Sequence, residues 1–463
     1  MLKKGILAVF KTNVIVLLFN LITNFLLPKY LSVEAYASIK AFQLYVLYIG
    51  VFHFGYCDGM YLRYGGKTIG NIDKHELKND VSTMCLYQLG ISILVIASNL
   101  FIHDFSWLAF SVAILPLNMV SYYKLLCQAT GEFTRYGNIT NVTTVLMFAI
   151  NIGLLFLADI QKDAVPYIVA YVVLDIGIWL GLEWYIPRTF QLLGVKGKFD
   201  IRLVLQNVKD GILLTLGNLS TALFTGMDRW FVKFLMDTFT FAQYSFAVSI
   251  ESFLNVAVTP VSITLYNFFC KHDEREEIKK IKDFIIVFAA LLPACAFPTK
   301  WILEHFLVNY IEATRVLFIL FAAQTYGIIV KCIYINLYKA RRQQRSYFVK
   351  LVLVLGAGFF LNAGCYAVLH QKEAFAIGTL ISAVLWLVLS VQDFKDSRLS
   401  FSDWLYLALE TCALIICGYC FGAISGFLVY CIVSILLTVF FMKRTINPAM
   451  EMLGVIFVKE EQH

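Results

Sequence analysis

Three ionisable residues lie inside long apolar runs. Asp175 is flanked by Val172-Val173-Leu174 and Ile176-Gly177-Ile178-Trp179, Glu251 falls in the run 240–268, and Lys331 in the run 313–338. A charge in such surroundings costs several kcal/mol, so it marks a polar pathway, an ion or proton relay, or a partner. Asp175 and Glu251 are candidates to exchange a proton or hold Na⁺, and Lys331 is a candidate to hold an anion. Asn255 stands one helical turn after Glu251, and Ser262 continues the same face. Gln324 precedes Lys331 by seven residues, which puts the two on one helical stripe. Pro260, between Asn255 and Ser262, lacks an amide hydrogen and is expected to kink its helix and free a carbonyl.

A second group lies further along. Asn218, Thr221, Thr225 and Asp228 share one helical face, as do Asn13, Asn20 and Asn24. For the Asn and Thr stripes, hydrogen bonding between helices is the leading reading; for Asp175, Glu251 and Lys331 a functional role leads. Asp228 is followed by Arg229 and then Lys233, where anion binding competes with interfacial anchoring by snorkelling side chains. Gly66-Lys67-Thr68 spells the tail of a Walker A loop, but position 61 is Tyr where the first glycine is required, and no strand precedes it. ATP is therefore not expected. A glycine-rich turn bearing Arg63 and Lys67 can still hold a phosphate; an ordinary basic loop is the competing reading.

The elements that must position these residues are transmembrane helices. Hydrophobic residues make up 60% of the chain and charged residues 15%, against about half and a quarter in soluble domains. The pattern predicts an all-α polytopic membrane protein of fourteen helices, over 6–27, 37–57, 81–102, 107–127, 139–158, 165–185, 209–233, 240–268, 283–300, 313–338, 347–369, 374–392, 403–421 and 425–442. Each run fits a bilayer crossing. Of the 38 Lys and Arg, 29 sit in alternate gaps or the helix ends that border them, eight in or beside the other gaps, and Lys331 deeper within a helix. Cytoplasmic loops retain the excess of Lys and Arg, so both termini are expected inside. The net charge of +7 is this bias summed, and nucleic acid is not an expected partner. The outer gaps are too short for a catalytic domain, and no enzyme is expected. The run 6–27 is too long for a signal-peptide core and is expected to be an uncleaved first helix. The eleven Cys are scattered, and Cys417-Gly-Tyr-Cys420 falls within a predicted helix, so packing is favoured over zinc or redox chemistry. No cofactor is expected beyond a transported H⁺ or Na⁺.

An internal repeat is visible at one offset. Tyr36 and Tyr244 are 208 apart, and at that spacing Asn20 matches Asp228 and Gln43 matches Glu251. Parallel repeats are one way to build a transporter around a midplane site. The expected organisation is one six-helix bundle over 1–200, a second over 201–400, and two further helices with a short cytoplasmic tail over 401–463.

The words Phe54-Gly-Tyr-Cys-Asp58-Gly-Met-Tyr-Leu-Arg63-Tyr-Gly-Gly and Asp228-Arg229-Trp-Phe-Val-Lys233, followed by Gln243-Tyr-Ser, together with the chain length and helix number, resemble the Wzx-type polysaccharide and O-antigen flippases. These belong to the multidrug/oligosaccharidyl-lipid/polysaccharide exporter superfamily. The resemblance implies two six-helix bundles forming a V around a central cavity, in a bacterial inner membrane. The implied substrate is a polyprenyl-pyrophosphate-linked oligosaccharide, turned from the inner to the outer leaflet by alternating access. The implied partners are membrane lipid, a polysaccharide polymerase and glycosyltransferases. On that reading Arg63, Lys67, Arg229 and Lys331 bind pyrophosphate or sugar, and Asp175, Asp228 and Glu251 couple transport to a cation. Such cavities are often strongly cationic, whereas few Arg here lie within helices. The alternatives are a multidrug or small-metabolite cation antiporter of the same superfamily, a membrane glycosyltransferase or polymerase, and an uncoupled scramblase.

Overall fold

A computed structural model describes residues 2–158, 160–269, 275–341, 343–394 and 397–442. Every regular element among them is helical. The chain divides into two compact units, Met1–Gly226 and Met227–His463. The first contains α1 (Leu2–Tyr30), α2 (Val33–Val46), α3 (Tyr56–Tyr64), α4 (Lys74–Ile102), α5 (Phe105–Ala129), α6 (Phe133–Ile152), α7 (Val165–Thr189) and most of α8 (Ile201–Leu235). The second contains the end of α8, then α9 (Thr238–Glu251), α10 (Leu254–Phe269), α11 (Arg275–Leu291), α12 (Ala296–His305), α13 (Ala313–Ile329) and α14 (Ile335–Ala340). It closes with α15 (Gln344–Leu369), α16 (Glu373–Asp393), α17 (Phe401–Cys420) and α18 (Ala423–Phe441). The expected cytoplasmic tail after Met442 lies outside the described residues.

Thirteen helical runs among the described residues are long and apolar enough to cross a membrane. The chain is a multi-pass membrane protein. The fourteenth expected crossing, 209–233, is present as helix within α8 but does not reach the same hydropathy. Asn218, Ser220, Thr221, Thr225, Asp228 and Arg229 interrupt its apolar residues.

Polar residues start the helices where the sequence turns. Ser32 accepts from the Ala35 amide at the start of α2, Asp73 from Glu76 at α4, Asp104 from Ser106 at α5, and Asp237 from Thr240 at α9. Each satisfies an amide that has no partner within its own helix. At α17, Ser400 and Asp403 bond each other's backbone amides in a capping box. The Tyr36–Tyr244 match acquires a local shape: α2 and α9 each have 14 residues, each follows a side-chain cap, and both tyrosines are fully buried.

Five expected helices are interrupted, 139–158 by a π turn at Gly153–Leu157 and 283–300 by a 3₁₀ turn at Leu292–Cys295 among them, and the other three breaks bear on the candidate residues. The run 37–57 ends as α2 at Val46, tightens into a 3₁₀ turn over Ile49–His53, and restarts as α3. Phe54 and Gly55 adopt left-handed conformations between them, with φ 47° and 92°. Arg63 therefore lies on a helix rather than in the loop 58–80. The run 240–268 breaks at Ser252–Phe253, not at Pro260, which sits inside α10. The run 313–338 continues from α13 through a π-helical turn, Val330–Tyr334, into α14.

The first unit packs α5 against α4 and α7, with α3 wedged beside α5. Tyr56, Met60, Tyr64, Met84, Tyr122 and Tyr123 form the centre of that core. In the second unit α13 is the central helix, packed by α9, α11, α16 and α17. Of the best window of its crossing, Ala313–Ala340, 83% is buried, which places Lys331 on the core helix of that unit.

Helices α3 and α8 meet almost backbone to backbone. A Cβ on Gly59 would lie 2.1 Å from the Asn207 carbonyl oxygen, and one on Gly211 would lie 2.0 Å from that of Gly55. Small residues permit this approach, as they do at many membrane helix crossings. Gly59→Ala is expected to separate the two helices and destabilise the protein by about 1–3 kcal/mol. Thermal unfolding in detergent checks this against Gly90→Ala, where nothing lies within 4 Å of the new Cβ.

Candidate functional site

The first unit is organised around a residue that the sequence reading passed over. Asp80, on α4, is completely buried. Its Oδ1 accepts from Tyr56 Oη at 2.6 Å and from Asn207 Nδ2 at 3.0 Å. Its Oδ2 accepts from Tyr122 Oη at 3.0 Å and pairs with the Arg63 guanidinium at 2.5 Å. Side chains from α3, α5 and α8 thus converge on one carboxylate, which explains how a charge is tolerated in that core. Burial works against the charge on Arg63, but Asp80, with Tyr64 and Tyr122, together outweighs it and the guanidinium pKa is raised.

Arg63 is therefore engaged within the protein, and two amides of the turn after it are taken up by carbonyls. The Gly66 amide donates to the Ala129 carbonyl at 3.1 Å, and the Lys67 amide to the Tyr64 carbonyl at 3.0 Å. Lys67 itself is exposed, with Nζ 5.6 Å from the Tyr64 ring centre. Close by in the chain, Asp58 on α3 accepts from the Thr215 hydroxyl of α8. These two and His53 line a small cavity of about 80 Å³. Asp175, on α7, is buried, and Lys124 of α5 is the cation that acts on it. The sequence placed Lys124 among the loop charges and so missed this pairing. Of the α1 asparagines, Asn24 accepts from Lys40 Nζ at 2.9 Å. The Asn218, Thr221 and Thr225 side chains are exposed, and the two threonines donate back to carbonyls of their own helix. The buried polar positions of α8 are instead Asn207, Thr215, Ser220 and Asp228.

In the second unit the two predicted stripes face each other. The Gln324 amide of α13 donates to Glu251 at the end of α9. Lys331 Nζ donates to Asn255 Oδ1 at 2.9 Å and to Thr259 Oγ1 at 3.5 Å. Ser262 donates to the Lys331 carbonyl at 3.1 Å, and Asn336 donates to the Ser262 carbonyl at 2.8 Å. The break at Ser252–Phe253 and the π turn at Val330–Tyr334 thus lie within this ladder. π-helical turns recur at functional positions in helices. Asp228 is buried and accepts from Tyr244 Oη at 2.8 Å, from Thr379 Oγ1 at 3.5 Å and from the Arg229 amide at 2.8 Å. The Arg229 guanidinium acts on both Asp228 and Glu251, and its buried Nε has no hydrogen-bond partner. Asp228, Arg229, Glu251 and Lys331 therefore belong to one polar tract, whereas Arg63, Lys67 and Asp175 belong to the other unit.

Neither the known family models nor the curated proteins contain a match to this sequence. Solved structures do match. The lipid II flippase MurJ in an inward closed conformation superposes with a TM-score of 0.62 at 13% identity, covering 96% of this chain and 99% of that one. A eukaryotic MATE transporter gives 0.52 at 10% identity, over 83% of this chain and 93% of its own. An inward-facing multidrug resistance MATE transporter of the MOP superfamily gives 0.51 at 13%, over 86% and 94%. The chain has the fold of these flippases and transporters. None of the three is an enzyme.

Within that fold the buried Asp80 and the half-buried Lys331 have very different partners. Asp80 has four side-chain donors, whereas Lys331 has only neutral oxygens. Among the described residues no carboxylate lies within ion-pair distance of Lys331. Removing Asp80 would leave the half-buried Arg63 with only the long 4.0 Å pair to Glu76 and would unmake three further hydrogen bonds, a loss of about 3 kcal/mol. Asp80→Ala is thus expected to unfold at a markedly lower temperature in detergent. Arg63→Ala/Asp80→Ala should lose less than the two single substitutions added together, which a double-mutant cycle measures.

Proposed function

We propose that the protein turns a polyprenyl-pyrophosphate-linked oligosaccharide from the inner to the outer leaflet of a bacterial plasma membrane by alternating access. The observation that carries this reading is Lys331: a cation on the core helix of its unit, held by Asn255 and Thr259 and opposed by no carboxylate among the described residues. A half-buried cation with neutral partners alone is available to an anion. A pyrophosphate with sugars cannot enter hydrocarbon, so it needs such a group along a polar route while the prenyl tail stays in lipid. The likeness to MurJ, a flippase of lipid II, over nearly the whole of both chains supports the same reading.

The residues divide the work as follows. Lys67, exposed beside the Tyr64 ring, meets the pyrophosphate at the inner mouth, and Arg63 holds that turn in place through Asp80. Lys331 and Arg229 hold the anion within the second unit. Glu251 is the foremost coupling group for H⁺ or Na⁺, because its direct partner is the Gln324 amide rather than a cation. Asp228 lies in the same tract. Asp175 lies in the first unit, where Lys124 is the cation that acts on it, and couples less directly. Both termini face the cytoplasm, and a polymerase and glycosyltransferases use and supply the substrate.

The test is reconstitution into liposomes with a lipid-linked oligosaccharide, reading its exposure on the far side. Lys331→Ala is expected to slow translocation about tenfold or more, the worth of a charged hydrogen-bond partner. Glu251→Gln is expected to abolish the response to proton and Na⁺ gradients. Full, gradient-sensitive transport by both variants would refute these roles. Export of cationic dyes without translocation of lipid-linked sugar would instead favour the antiporter reading, which the MATE likeness keeps in view.

A further inference from the structure

At one end of the second unit, a cavity of about 610 Å³ is formed by α12, the segment entering α13, the start of α16 and the end of α17. By the distribution of Lys and Arg this is the outer end. Two of its cations are built into the wall. Lys300 Nζ donates to the Gly418 carbonyl at 2.7 Å and to that of Phe421. Lys372 Nζ donates to Gln243 and pairs with Glu312 at 3.2 Å.

Other groups are left facing the space. Thr314 is only 8% exposed and lines the cavity, yet its Oγ1 has no hydrogen-bond partner. A buried hydroxyl without a partner is uncommon enough in folded proteins to need a reason. Arg315 and Glu373 make no ion pair among the described residues. Both bear electrostatically on Tyr419, whose hydroxyl donates to the Arg315 carbonyl at 3.0 Å. The Gln371 side chain completes the rim.

This set suits neither a simple anion nor a simple cation, because carboxylates and basic groups alternate around the space. It suits a molecule with many hydroxyls. A carboxylate accepts from neighbouring hydroxyls, a guanidinium donates to their oxygens, threonine and glutamine do both, and an aromatic ring packs on the C–H face. A cleft with a few convergent polar groups is a usual form of small-molecule site.

We propose that this outer cavity binds a saccharide unit through Thr314, Arg315, Gln371 and Glu373 around Tyr419. The inference deepens the flippase reading, which it needs only for the source of the sugar: the oligosaccharide already delivered to the outer face.

The experiment uses the full-length protein in lipid nanodiscs and free sugars, N-acetylglucosamine, galactose and galacturonic acid, followed by saturation-transfer NMR and calorimetric titration. At least one sugar is expected to bind saturably, with Kd in the millimolar range, as befits a small site open to water. Thr314→Val and Glu373→Gln should each weaken it about tenfold. Because Thr314→Val removes an unpaired buried hydroxyl and keeps the side-chain shape, thermal stability should hold or rise while binding falls. No saturable binding of any of the three sugars, binding unchanged in either variant, or tighter binding of inorganic phosphate in competition would overturn the proposal. Since no lipid-linked substrate is present, sugar binding without flipping would refute only the flippase reading. Flipping without sugar binding would refute only this one.

Discussion

Hydrocarbon supplies no hydrogen-bond partner, so every polar group that a membrane helix buries must find one inside the protein. Asp80 shows what full satisfaction requires: two tyrosines, an asparagine and an arginine, drawn from three other helices. Because those donors arrive from α3, α5 and α8, the carboxylate ties the helices together as it is neutralised. Lys282 and Asp403 do the same in the second unit. They pair at 2.8 Å, and Asp403 also closes the capping box that begins α17. Such pairs fix geometry. Their contribution to stability over an apolar core is small, and the cost of breaking one is large.

The close approach of α3 and α8 serves the same constraint. Asn207 and Thr215 have short side chains and reach Asp80 and Asp58 only because Gly55, Gly59 and Gly211 let the backbones meet. The break after α2 is part of this arrangement. Gly55 has a left-handed φ of 92°, where a side chain would be strained and would also strike the backbone of Ile212. The irregular backbone between α2 and α3 is therefore what lets α3 dock.

The helical architecture was legible in the sequence, since apolar runs of bilayer length leave few alternatives. The paired stripes were legible too. Glu251, Asn255 and Ser262, and Gln324 and Lys331, were identified by spacing alone, and in the structure they bond to one another. Helical periodicity fixes which residues share a face, and a polar face in an apolar helix must meet another. Asp80 was missed because it precedes the apolar run 81–102 by one residue and reads as a loop charge. Lys124, at the end of its run, was missed for the same reason. A helix that continues past the edge of its apolar run carries such residues into the packed interior, and hydropathy alone does not register this. The breaks at Ser252–Phe253 and Val330–Tyr334 were not legible either: neither contains Gly or Pro, and Pro260, the one expected breaker, lies inside α10. Their cause is tertiary.

Those two breaks matter for how the second unit can work. A regular helix offers its carbonyls to its own amides, so it has nothing backbone-derived to give a passing polar group. Where Val330–Tyr334 takes π spacing, the Lys331 carbonyl accepts from Ser262 and the Cys332 carbonyl from Asn336. The turn at Ser252–Phe253 separates Glu251 on α9 from Asn255 on α10, yet both bond to the α13–α14 run. Each half of that broken helix thus has its own contact, Glu251 with Gln324 and Asn255 with Lys331. A change of charge at Glu251 would alter the first contact without directly breaking the second. On the proposed function, one break in the backbone separates Glu251, the coupling group, from Asn255 and its partner Lys331, the anion-holding group. That is the minimum a coupled carrier requires if binding at one group is to change access at the other.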